Sequence, residues 1–136
     1  MALILGACIL LWLPFEDTHT TWALGFGVAI AAWCAAFVMT KLWARLTAQH
    51  PQFRPLALLA RFSLVGLLAG LAVSPLALFL MVFKTGLHGH GFPDFTFDQL
   101  LSVLRRTPVF GLSGLLLSLG IGIAMLYTSN EHANRL

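Results

Sequence analysis

The chain has 136 residues, of which 59% are hydrophobic and 10% charged, with a formal net charge of +3. A soluble domain is about a quarter charged, so too few polar side chains are present to cover a water-facing surface, and no room is left for a separate soluble catalytic domain. The basic residues sit between apolar runs rather than in a stripe interleaved with aromatics, which argues against nucleic acid as a partner and for a lipid bilayer as the solvent.

Three runs carry the fold class: Trp22–Thr40, Phe62–Phe83 and Pro108–Tyr127 contain no charged side chain. As helices they reach ~28–33 Å, close to the ~30 Å hydrocarbon core of a bilayer. The expected fold is an all-α integral membrane protein, a single four-helix transmembrane bundle over residues 1–136. Its first helix is short, and an interfacial amphipathic helix precedes the last span.

The first helix is expected over about residues 2–15. At ~1.5 Å per residue it barely crosses a bilayer, so a thinned bilayer or a half-membrane segment are both open readings. The string Leu5-Gly6-Ala7-Cys8 lacks the basic n-region and the apolar h-region of a cleaved leader, so no lipidation is expected. Cys8 and Cys34 lie in apolar runs without metal or redox spacing and read as small buried residues. A polar break at Glu16–Thr21 follows, with Thr20 or Thr21 placed to cap the second helix, about 22–46. Lys41 and Arg45 near its end suit the negative pole of the helix dipole.

Pro51 and Pro55 bracket a turn. The third helix is expected over about 56–83. Pro75 inside it removes the donor for the Leu71 carbonyl and predicts a kink, with Ser74 a candidate to satisfy the freed group. The stretch 84–107 reads as a connection, glycine-rich and irregular in its first half. In its second half Thr96-Phe97-Asp98-Gln99 matches a capping box, and Phe97, Leu100, Leu101 and Leu104 recur at helical spacing. That predicts an interfacial helix over about 97–106. Pro108 then opens the last helix, about 108–127.

Lys41, Arg45, Arg54, Arg61 and Arg135 fall on one side of this arrangement and Lys84, Arg105 and Arg106 on the other. Counting basic residues places both termini in the cytoplasm of a multi-pass protein, by composition of bacterial inner-membrane type. Small residues recur every four positions at Gly66, Gly70 and Ser74 and again at Gly114, Ser118 and Gly122. Lipid gives helices no hydrophobic reason to associate, so such residues mark faces where backbones approach. The partner of those faces is another helix of the same chain or another subunit.

No catalytic residue and no cofactor-binding residue is indicated. The spans, as read here, carry no ionisable group away from their ends, which counts against a proton-coupled transporter. His88 and His90, with His19 and Asp94 on the same side, form the one set of metal-type ligands, suited to zinc or copper. The alternative is an ordinary solvated loop. The leading expectation is a non-enzymatic accessory, assembly or structural component of a membrane complex. The alternatives are an oligomeric small transporter or channel subunit, or an outer-face metal-binding protein using the His88/His90 loop.

Overall fold

The computed structural model describes residues 2–14, 19–49, 55–88 and 95–133. These fold into five helices with no strand among them: α1 (Ala2–Trp12), α2 (Thr20–Gln49), α3 (Pro55–His88), α4 (Phe97–Arg105) and α5 (Thr107–Ala133). Three stretches are long and apolar enough to cross a membrane: Thr20–Arg45, Leu56–Leu87 and Phe97–Thr128. The third joins α4 to α5. The apolar α1 has 11 residues, ~17 Å of helix, shorter than a hydrocarbon core.

The helices are not arranged as a closed bundle. α3 is central, with α2 along one flank and α5 along the other, and among the described residues no Cα of α2 comes within 8 Å of one of α5. The residues that α3 buries follow helical spacing: Leu58, Phe62, Gly66, Gly70, Val73, Ser74, Ala77, Met81 and Lys84. Two apolar clusters sit at opposite ends of this row. One gathers Met39, Leu58 and Phe62 near the basic end. The other gathers Trp12, Leu13, Ala23, Leu24, Ala77, Leu80, Met81, Phe95 and Val103 from α1, α2, α3, α4 and the residues beside them.

α3 is longer than its charge pattern predicts. It continues through Lys84, Thr85 and Gly86 to His88, so the first residues of the expected irregular connection are helical. Glycine inside a helix costs about 0.5–1 kcal/mol relative to alanine. Burial of Met81 on the inner face offsets that cost, and Thr85 Oγ1 folds back to donate to the Met81 carbonyl at 3.1 Å. The helix also runs through Pro75. The Ser74 hydroxyl, fully buried, has no hydrogen-bond partner, so it does not take up the carbonyl that proline frees.

α4 begins as its sequence predicts. Thr96 is extended at φ −72° and ψ 157°. Its Oγ1 accepts from the Gln99 amide at 3.3 Å, while its own amide donates to Gln99 Oε1 at 2.8 Å. The pair satisfies two amides that the helix start would otherwise leave unbonded. α4 passes into α5 through Arg106, with the Phe110 amide donating to the Arg106 carbonyl at 3.1 Å.

Candidate functional site: a glycine seam and a buried lysine

The α3–α5 contact is built where side chains are missing. A Cβ added at Gly66 would run into Ser118 Oγ and the Gly114 carbonyl. One at Gly70 would meet the Phe110 carbonyl and the Gly111 Cα, and one at Gly114 would meet the Gly66 carbonyl. Gly122, a turn further, faces Leu59 and Phe62, with Leu59 Cδ2 3.0 Å from where its Cβ would be. The pairs run in opposite senses along the two helices, so α3 and α5 are antiparallel and touch backbone to backbone. Ser118 is buried and donates within its own helix, with the Gly114 carbonyl at 2.8 Å and the Leu115 carbonyl at 2.9 Å. Its hydroxyl is thereby satisfied without a partner on α3. The structure brings Gly66, Gly70, Gly114, Ser118 and Gly122 into one seam. Ser74 lies on the same helix, buried but with its hydroxyl unbonded.

α2 approaches α3 in the same manner at one point. A Cβ at Gly27 would lie 2.7 Å from the Val73 carbonyl oxygen and 3.3 Å from the Ala77 nitrogen. Other glycines are unlike these: a Cβ at Gly25, Gly86 or Gly120 meets nothing within 4 Å.

At the end of the row that carries α1 and α4, large side chains replace glycines. Lys84 is 0% exposed. Its ammonium lies 4.3 Å from the centroid of the Trp12 ring and 6.0 Å from that of Phe95. A cation over an indole face is worth about 2 kcal/mol when desolvated. Trp12 in turn leans on Phe26 at 5.4 Å, and Phe26 stacks with Trp22 at 6.5 Å. The Trp12 indole N–H is buried without a hydrogen bond, so the ring is held for its face rather than its donor. Lys84 therefore joins α1, α3 and Phe95, two residues ahead of α4. Beside it a half-open cleft of about 310 Å³ is lined by Met81, Val82, Thr85, Gly86, Phe95 and Leu100.

Lys84 is the residue that the charge pattern misplaced, as part of a connection. The signal that locates it is periodicity. Ala77, Met81 and Lys84 continue the buried stripe of α3 at the spacing of Phe62, Gly66 and Gly70.

The metal-type residues are only partly within view. His19 is exposed just before α2, and His88 is the last residue of α3. His90 and Asp94, the other two of the set His88, His90, His19 and Asp94, lie outside the described residues. Among the described residues no group of three or more His, Cys, Asp or Glu is close enough to hold a metal ion. Cys8 and Cys34 are free and, against the expectation that they are buried, exposed on the faces of α1 and α2 that no other described helix covers. No family model, no curated protein and no solved structure matches this chain.

Proposed function

We propose that the chain is a multi-pass protein of the cytoplasmic membrane, of bacterial inner-membrane type with both termini inside, and that it is a non-enzymatic accessory or assembly component of a larger membrane complex. The observation that carries this reading is the open row. In a closed four-helix bundle each helix has two neighbours along its length. Here α2 and α5 each have one long neighbour, α3. The share of each span's most apolar stretch that is buried follows: 39% for α3, 28% for α2 and 17% for the α4–α5 stretch. The outward faces of α2 and α5 carry small residues with space above them, Gly25 and Gly120. Such faces allow close approach by a further helix.

Affinity purification in mild detergent tests this. Wild-type protein is expected to retain one or more stoichiometric subunits, and Gly25→Leu or Gly120→Leu to lose them while remaining folded. A monodisperse, solitary wild-type monomer would overturn the proposal.

A second reading, an oligomeric small transporter or channel subunit, draws support from Lys84. Ionisable groups buried in membrane helices commonly serve transport paths. It requires solute flux across proteoliposomes that Lys84→Gln abolishes, and wild-type vesicles with no flux above empty ones would exclude it for the solutes tried.

A further inference from the structure

The contacts between the long helices fix their relative depths. α2 lies antiparallel to α3 with Gly27 against Val73 and Ala77, and with Met39 in one cluster with Leu58 and Phe62. By that register the first turn of α2, at Thr20, is level with Met81, and Lys41 is level with Arg61. α5 lies antiparallel on the other flank, with Gly70 against Phe110 and Gly111 and with Gly122 against Leu59 and Phe62. That register puts Arg106 level with Leu76, and Tyr127 level with Pro55. At ~1.5 Å per residue the apolar run of α5 is displaced by ~8 Å along the row relative to that of α2, in the same sense at both ends.

This displacement leaves Arg105 and Arg106 in an unusual place. Both side chains are exposed at the junction of α4 and α5, ~8 Å deeper than the start of α2. Below them the outward surface of α5 is apolar, with Val109, Leu112 and Leu116 all exposed. Asp98, the acidic residue of α4, is in its first turn, and the arginines are at its other end, ~10 Å away along the axis. Guanidinium groups at this depth are costly to leave in hydrocarbon. They can reach upward on their own apolar stems, and headgroups can come down to meet them where the bilayer thins around a displaced span. Arginine matches a phosphate through paired N–H donors, and two adjacent cations favour a lipid with net negative charge.

We propose that Arg105 and Arg106 bind the headgroup of an anionic phospholipid, drawn into a dip of the leaflet at the α4 end, with its acyl chains lying along Val109, Leu112 and Leu116. The inference rests on the membrane-spanning reading and is independent of the assembly role.

Purified, delipidated protein is titrated with phosphatidylglycerol and separately with phosphatidylcholine, and bound lipid is followed by native mass spectrometry. Wild type is expected to prefer phosphatidylglycerol. The double substitution Arg105→Gln, Arg106→Gln is expected to weaken phosphatidylglycerol binding about 10- to 30-fold and to leave phosphatidylcholine unchanged. Arg105→Lys with Arg106→Lys, which keeps both charges, is expected to retain the preference. An unaltered phosphatidylglycerol affinity in the glutamine variant overturns the proposal, and so does an equal loss of both lipids. Wild type with no lipid preference, together with release of a co-purifying subunit by Arg106→Glu, also overturns it, in favour of a carboxylate on a neighbouring helix. Wild type that incorporates into vesicles of neither lipid removes the membrane reading itself, an outcome separate from the others.

Discussion

At the α3–α5 seam, Gly66, Gly70 and Gly114 bring two backbones together because nothing projects from them. At the α1/α4 end, Trp12, Phe26, Phe95 and the buried Lys84 fill the space between helices with some of the largest side chains of the chain. The difference follows from what each place must accomplish. Two long helices can align small residues over several turns and gain dispersion contacts along the whole interface. α1, with 11 residues, has no such length. Its body is largely exposed, Leu3 at 90%, while Trp12 and Leu13 are buried. A short helix held at one end needs a few strong contacts there, and an aromatic ring over a desolvated cation supplies one.

The two regions should therefore fail differently. Gly66→Leu or Gly114→Leu is expected to have the largest effect, a loss of more than about 3 kcal/mol. The added atoms meet backbone carbonyls rather than movable side chains, and only separation of the helices relieves the clash. Thermal denaturation in detergent followed by circular dichroism reads this directly. If Gly66→Leu melts like wild type, the seam is not packed as described.

Trp12→Ala comes next, at about 3–5 kcal/mol, the range for removing a buried aromatic. Here the comparison can be sharpened with Trp12→Phe. That change keeps a ring face for the Lys84 ammonium and deletes an indole N–H that has no acceptor. Its expected cost is below about 1.5 kcal/mol, as for a modest change of hydrophobic volume. Equal losses for alanine and phenylalanine would mean that the indole, and not its face, holds α1.

Thr96→Ala is expected to cost about 1 kcal/mol, the usual worth of an N-cap, confined to the start of α4. Amide exchange of Gln99 is the sensitive measurement, since its N–H loses the Thr96 oxygen. Unaltered protection there would show that the cap contributes nothing to α4.

Much of this was legible in residue order, for reasons specific to each element. The three apolar runs and the Thr96–Gln99 box depend on contacts within a few residues, and both could be read from spacing. The small residues at Gly66, Gly70, Gly114 and Ser118 could be read as a packing face, but not which helix they would meet. That pairing is long-range and depends on how α4 delivers α5 back to α3. Lys84 was obscured because a lysine after a hydrophobic run normally marks a membrane boundary. Its burial depends on Trp12 and Phe95, distant in the chain and invisible to a local window. The displacement of α5, and with it the depth of Arg105 and Arg106, follows from the register of two interfaces at once.

The smallest effect expected is also the one that separates internal packing from external partnership. Gly25 and Gly120 are glycines on the same helices that meet α3, yet an added Cβ at either has open space. In the isolated chain, Gly120→Leu should leave stability within about 1 kcal/mol of wild type and on the favourable side, because it removes a helical glycine and creates no clash. In the assembled state the sign reverses: a bulky residue on a face that a partner approaches closely holds that partner off. A variant that is stable alone but no longer co-purifies with its subunits assigns the face to assembly. If Gly120→Leu instead unfolds the isolated chain, α5 has a further neighbour within the same polypeptide, and the open row is closed by residues outside those described.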